Sequence, residues 1–272
     1  MDSLWSFSTA LLGIKGAAMK YDAIVVGAGI AGLTSAAFLA KAGHSVLICE
    51  KENSCGGLLN TFERDGFFFD GGIRAIENSG VLFPMIKKLG LDIEFVRNKI
   101  SIGIENQVIR INDEGAVLAY QTLLNDLYPE NKQEISEIIK QISKITSYME
   151  VQYGIDNPLF LDIKEDSDYF IKAVLPWMVK YALTAPKITK LQVPVEDFLR
   201  SYTENQSLLD IICQHFFQKT PAFFALSYFK LYLEYRYPLG GIGKIVEKMV
   251  SYIEDHHGII NTNTEIVAVD PQ

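Results

Sequence analysis

Cysteine and histidine are scarce, with three and four copies in 272 residues. Cys49, Cys55 and Cys213 form neither a CxxC pair nor an even framework, which excludes a disulfide-built fold and leaves reduced thiols as the expectation. His44, His215 and the adjacent His256 and His257 show no metal-ligand spacing, because sequence neighbours do not share a helix face, so no metal site is expected. Positive charge is also short: 25 Lys and Arg stand against 33 Asp and Glu, a net −8 that is wrong for electrostatic nucleic-acid binding. Internal repeats and low-complexity linkers are missing. What remains is a 49% hydrophobic chain, ample for a sizeable core and of an acidic, cytoplasmic type.

One uncharged run, Ala23 to Ala40, has the length of a short membrane span. Gly27, Gly29 and Gly32 argue against a span, since each glycine costs a helix about 1 kcal/mol relative to alanine. The run reads better as two elements, a β-branched strand at Ala23 to Val26 and an alanine-rich helix at Ile30 to Lys41, with the glycines at their junction. There Gly27 permits a tight turn, Gly29 lets backbone approach a pyrophosphate, and Gly32 lets helix pack closely on strand. The N–H groups at the helix start, through Ile30 and Ala31, would then face the anion.

Gly43 follows as a residue just past the helix end, and His44 to Cys49 is a second apolar strand ending in Glu50. That acid lies roughly 20 residues past the fingerprint, where a carboxylate accepts from ribose hydroxyls. It disfavours a 2′-phosphate, so the site suits NAD or FAD over NADP.

Beyond Lys51 come Gly56-Gly57-Leu58 and then Phe69-Asp70-Gly71. With the GAGIAG glycines, Leu33, Ala36, Gly43 and the Glu50-Lys51 pair, these segments resemble the FAD-dependent family of phytoene desaturases, carotenoid isomerases and retinol saturases, a branch of the amine-oxidase-like flavoproteins. The resemblance implies that Gly27, Gly29, Ile30, Ala31, Gly32, Glu50, Lys51, Gly56, Gly57, Leu58, Asp70 and Gly71 hold the adenosine and diphosphate of FAD and line the approach to its ring. It also implies that Ile266 touches the adenine through its backbone. The family usually has arginine where this chain has Leu58, which removes a charged contact. Tyr237-Pro-Leu-Gly-Gly resembles the family turn that returns the chain to the FAD domain.

The implied fold is α/β: a Rossmann-like FAD/NAD(P)-binding domain with a parallel central sheet at residues 19–74 and 236–272, interrupted by a mainly helical substrate or cap domain at 75–235. Val81 to Leu89, Asn131 to Tyr153 and Tyr169 to Leu183 read as helices, the second with Ile135, Ile138, Ile139, Ile142 and Ile145 on one stripe. Ser101 to Leu118 is strand-like, divided at Gly103 and at the Asn112 to Gly115 turn. The aromatic stretch from His215 to Tyr237 reads either as a packed helix pair around Pro221 or as a tunnel wall for an apolar substrate, and the two are compatible. Lys244 to His257 reads as a helix ended by Gly258, with His256 and His257 solvated at its C-terminus, and Ile259 to Val269 as a strand.

Residues 1–18 are expected to be an upstream extension or vector remnant, disordered or non-native. The alternative, an interfacial membrane anchor through Trp5 and Phe7, lacks the expected positive face. Family members continue for nearly as long again past the position of Gln272, so the C-terminal part of the fold is expected to be absent and the chain truncated. A complete short nucleotide-binding protein is the alternative. The reaction implied is an FAD-dependent oxidation, saturation or isomerisation of a carbon–carbon bond in an apolar polyene or isoprenoid, with an amine oxidase or a non-catalytic nucleotide-binding fragment as competing readings. No catalytic residue is nominated; Glu234 and Arg236 are candidates for orientation only, against the simpler reading of surface pairs.

Overall fold

A computed structural model describes residues 20–73, 75–162, 164 and 166–269, so the expected extension at 1–18 lies outside the described residues. The described residues divide into two compact units, one drawn from within 20–75, 86–96 and 237–269, the other from within 76–85 and 97–236.

The first unit is built on a parallel sheet in which Val46–Cys49 lies between Ala23–Val26 and Ile259–Asn261. Short apolar strands suit this position because a parallel sheet is covered on its faces. The helix Ile30–Lys41 connects the first two strands and buries Leu33, Ala36, Ala37 and Ala40, a stripe of mostly small side chains that allows close approach. It packs on the helix Gly243–Asp255, which buries Ile245, Val246, Met249 and Ile253. The fold is thus α/β with a parallel sheet and a Rossmann-like strand–helix–strand unit.

Two expectations change here. The last strand covers Ile259–Asn261 rather than reaching Val269. Its pairing with Val46–Cys49 stops where that strand stops, and alternation without a neighbour does not make a ladder. The left-handed residue after the last helix is His257, at φ 65°, and not Gly258. Gly258 is required for a different reason, since a Cβ there would lie 2.4 Å from Ile253 Cγ2. A hairpin, Thr61–Arg64 with Phe67–Asp70, completes the unit. Its two-residue loop, Asp65 and Gly66, has positive φ at both positions, the mirror-image turn that matches strand twist.

The second unit is mainly helical. Lys132–Tyr153 buries Ile135, Ile138, Ile139, Ile142, Ile145 and Met149, the expected stripe extended by one turn. Against it pack the helices Ala116–Leu127, Leu175–Thr189, Ala222–Leu226 and Tyr228–Glu234. The strand-like reading of Ser101 to Leu118 holds as far as Ile111, as a hairpin of Ile100–Ile104 with Gln107–Ile111 that turns at Glu105 rather than Gly103, and a helix begins at Ala116. Asp113 sets that boundary, its side chain accepting from Gly115 N–H at 2.8 Å. The helix expected over Tyr169 to Leu183 opens as a wide turn over Phe170–Val174 and runs on as α-helix to Thr189. Pro176, which lacks an N–H, loosens the ladder just before it. Both helices of the aromatic stretch follow Pro221, and Ala222, Phe223, Ala225, Leu226, Phe229 and Leu231 join the core. Tyr228 meets Phe216, Phe224 and Tyr232 edge-on at 4.8 to 5.6 Å, so packing accounts for most of these rings.

Candidate functional site

The glycines bring three separated segments of the first unit together. Gly27 adopts φ 92° and donates to Cys49 O at 2.8 Å, tying the turn to the second strand. Gly32 sits where a Cβ would stand 2.0 Å from Gly27 O and 3.3 Å from Val25 Cγ1. Helix therefore lies directly on turn and strand, and only hydrogen fits. Gly29 is the helix cap residue, and a Cβ there would meet nothing within 4 Å, so the space beside it is open. No side chain caps the helix and its first turn carries no acid. The N–H groups of Ile30, Ala31 and Gly32 thus lie at a helix end whose dipole favours an anion.

Gly56 and Gly57 come against this turn from the loop after the second strand. Gly56 donates to Ala28 O at 2.8 Å and forms a bridge with Gly29, while a Cβ on Gly57 would lie 3.4 Å from Gly29 Cα. Their φ values of 118° and 58° suit glycine, and at Gly56 crowding adds to this, since a Cβ would lie 2.8 Å from Leu59 O. Leu58, in the family's arginine position, is exposed and offers its carbonyl to Ile73 N–H at 3.3 Å.

Glu50 is 8% exposed and points into the turn, with Oε2 accepting from Ala28 N–H at 2.6 Å and Oε1 from Glu52 N–H at 3.0 Å. The Glu52 and Ala28 N–H groups hold its carboxyl below the usual glutamate range. Each oxygen retains a lone pair for a hydroxyl donor. Lys51 is exposed and lies 3.6 Å from Glu52. Thr264 N–H donates to Glu50 O at 2.8 Å, which runs the segment bearing the half-buried Ile266 beside the same strand end.

Asp70 is engaged by the chain itself. Oδ2 accepts from Tyr237 O–H at 2.6 Å, and Oδ1 accepts from Thr61 O–H at 3.2 Å and Ile242 N–H at 3.1 Å. Thr61 Oγ1 in turn accepts from Gly243 N–H at 2.9 Å. The pair of motifs separated by 167 residues is thereby stapled together, and burial, followed by Asp70, pushes the Tyr237 hydroxyl up to about 12. A Cβ at Gly71 would fall 1.8 Å from Asn60 Oδ1, so the Asn60 side chain occupies the space a larger residue there would need. Sequence reasoning missed Thr61, Asn60 and Tyr237 as parts of this arrangement; the co-occurrence of Phe-Asp-Gly-Gly with Tyr-Pro-Leu-Gly-Gly was the available signal.

Glu234 and Arg236 belong to the second unit. Glu234 lies 3.5 Å from Lys230, and Arg236 donates to the carbonyls of Glu234 and Tyr235 at 3.4 and 3.5 Å, so both are occupied locally. The cavity of about 270 Å³ beside Glu234 is lined by Glu150, Tyr153, Asp156, Tyr169 and Lys230, polar surroundings that do not suit an apolar chain. Among the described residues no group of three His, Cys, Asp or Glu could hold a metal, and no helix is long and apolar enough to cross a membrane.

Comparison with known proteins agrees with this geometry. Residues 25–89 match the NAD(P)-binding Rossmann-like domain family. The chain is 26% identical over 273 residues to an inactive all-trans-retinol 13,14-reductase of Danio rerio, covering 91% of this chain and 42% of that protein. A 4,4′-diapophytoene desaturase of Staphylococcus haemolyticus is 31% identical over 124 residues, 38% of this chain and 25% of that one. Putrescine oxidase shares the fold, with a TM-score of 0.53 at 19% identity over 89% of this chain and 51% of that structure. These homologues match the FAD-dependent desaturase and retinol-saturase-like family that the sequence resembles. The chain spans less than half the length of these two sequence relatives and about half that of the putrescine oxidase structure.

Proposed function

We propose that this chain holds FAD and that its activity, with the remainder of the fold its relatives carry, is a redox reaction at a carbon–carbon bond of an apolar polyene or isoprenoid. The observation that carries the reading is the convergence of the Gly27 to Gly32 turn, Gly56-Gly57 and the inward-pointing Glu50 at one open helix end. In this reading residues 19–74 and 236–272 bind the cofactor and 75–235 form the substrate domain. Ile30, Ala31 and Gly32 present N–H groups to the diphosphate, Glu50 accepts from the ribose, Gly57 and Leu58 border the route to the ring, and Ile266 flanks the adenine.

The residues fit that group. Gly29 leaves open space where backbone must approach a diphosphate, the helix end carries no acid, and the carboxylate stands at the second strand's end. Bound FAD supplies the hydride or electron carrier. The protein's own part is to fix the diphosphate, hold Glu50 ionised by its two N–H partners, and exclude a 2′-phosphate by that same charge. Asp70 has a supporting role in this scheme: through Tyr237, Thr61 and Ile242 it fixes the loop carrying Gly71.

The substrate is apolar, in keeping with the retinol and phytoene-type names of the relatives. Such molecules partition into lipid, so a cytoplasmic protein in peripheral contact with a membrane is part of the same reading. An amine oxidase is the second reading, supported by the putrescine oxidase fold and by a Pseudechis australis L-amino-acid oxidase 29% identical over 182 residues.

The test is a visible absorption spectrum of the purified chain after incubation with FAD, with identification of the nucleotide released on denaturation. A flavin spectrum with FAD in the supernatant is expected. A colourless protein, both for this chain and for a chain extended past Gln272, would overturn the assignment.

A further inference from the structure

The helix Leu175–Thr189 and the turn before it have two opposed faces. Val174, Thr184 and Ile188 are buried, with Trp177 and Tyr181 half-buried beside them and stacked at 5.0 Å, and this inner stripe faces the core of the second unit. The outer face is also apolar. Ile171, Leu175, Met178, Val179 and Leu183 are between 45% and 69% exposed. From Leu175 onward, with Ala182 and Pro186, these positions fall within about 140° of arc on a helix of 3.6 residues per turn. A row of exposed large apolar side chains of this kind is unusual for a surface that faces only water.

Charge runs along one edge of that row. The segment from Ser167 to Lys190 holds four lysines, Lys172, Lys180, Lys187 and Lys190, and one carboxylate, Asp168, in a chain whose net charge is −8. Asp168 pairs with Lys172 at 2.5 Å. Among the described residues Lys180 and Lys190 have no carboxylate partner. At the helix's C-terminal end Lys187 and Lys190 meet Lys144 around an open cavity of about 500 Å³, walled by Ile145, Tyr148, Leu191, Phe198 and Tyr202 and by no carboxylate. Lys187 stands 5.6 Å from the Tyr148 ring. A concave site with an apolar wall and three cations suits an anionic headgroup attached to an apolar body.

We infer that this helix docks the protein on an anionic phospholipid surface, the Ile171 to Leu183 row entering the acyl boundary and Lys144, Lys187 and Lys190 receiving a headgroup phosphate. The inference deepens the membrane contact in the proposed function, yet it assigns that contact to a described helix in place of Trp5 and Phe7. A large apolar face bordered by lysines is the pattern of helices that lie in an interface. Anionic lipids add attraction for each basic residue near the surface, screened by salt. In a two-fold contact of this face with itself the same lysines would face one another, which works against a second copy in that arrangement.

Flotation of the full chain with vesicles tests this without flavin or turnover, so its outcome is separable from that of the FAD assignment. Vesicles of phosphatidylcholine alone should bind weakly, and vesicles with about 30% phosphatidylserine should bind at least about tenfold better, with loss of binding at high salt. The triple variant Lys144→Glu, Lys187→Glu, Lys190→Glu should lose about tenfold or more, the matching arginine triple should retain binding, and Leu183→Asp should weaken binding while leaving the circular dichroism spectrum unchanged. Equal binding to both vesicle types would overturn the inference. So would displacement by inorganic phosphate beyond that caused by chloride of equal ionic strength, which would mark a soluble phosphate site. A concentration-dependent dimer in the absence of lipid, dissociated by Leu183→Asp, would assign the face to a second copy.

Discussion

The two units solve opposite packing problems. In the first, the decisive positions are those where a side chain is missing: Gly32 under Gly27 O and Gly56 under Leu59 O. In the second they are positions filled at helical spacing, with Ile135, Ile138, Ile142 and Ile145 at most 1% exposed. Exposed large apolar side chains do not separate the units, since Leu58 and Phe68 in the first and Val179 and Leu183 in the second are each more than half exposed. A fold organised around kept space is specified by glycine geometry, and a fold organised around filled space by apolar volume. The first kind of specification leaves open space beside Gly29, and the second closes the space around the Lys132–Tyr153 helix.

The sharpest way to break this comparison is Gly32→Val. The added atoms would lie against backbone rather than a flexible side chain, so the cost should exceed the upper end of the usual overpacking range, about 3 kcal/mol, and nucleotide binding should vanish. Hydrogen exchange should show residues 23–49 deprotected while the Lys132–Tyr153 helix keeps its protection. Equal deprotection of both would show that the units unfold as one.

The converse is Ile138→Ala. A fully buried isoleucine truncated in a packed helix core should cost about 3 kcal/mol, read from chemical denaturation. Flavin affinity should change less than about twofold, because the glycine turn does not depend on that volume. A large loss of affinity would mean that filled space in the second unit sets the geometry of the first.

How far the sequence reached follows the same division. Gly27, Gly29 and Gly32 were legible because each backbone demand at a strand–helix junction has one residue that meets it, and the isoleucine stripe because period 3.6 has one common meaning. The Asp65-Gly66 hairpin carried a signal that periodicity alone passes over. Three features were not legible. The end of the last strand depends on where its neighbour stops, which is a tertiary fact. The partners of Asp70, namely Tyr237, Thr61 and Ile242, were hidden because a carboxylate in a motif does not announce which groups of the chain reach it. The outer face of Leu175–Thr189 was hidden because an apolar residue reads the same whether it faces a core or lies exposed.

Glu50 separates the two kinds of specification most finely, since it is a polar side chain inside the unit built on empty space. Its folded carboxyl lies below the usual value, so its stabilising contribution is complete above the ordinary glutamate range near 4.3 and is lost as pH falls through the depressed value. Glu50→Gln replaces one accepting oxygen by a donor, leaving either Ala28 N–H or Glu52 N–H without its partner, at a cost of about 1 kcal/mol at neutral pH. Melting curves between pH 7 and pH 3 should therefore converge for the two proteins as acid removes what the variant already lacks. Asp22, held down by the Ser45 N–H and hydroxyl, leaves a residual slope common to both. Curves that stay parallel down to pH 3 would mean that the ionised carboxylate is not what fixes the turn, and that the glycine geometry alone keeps the space beside Gly29 open.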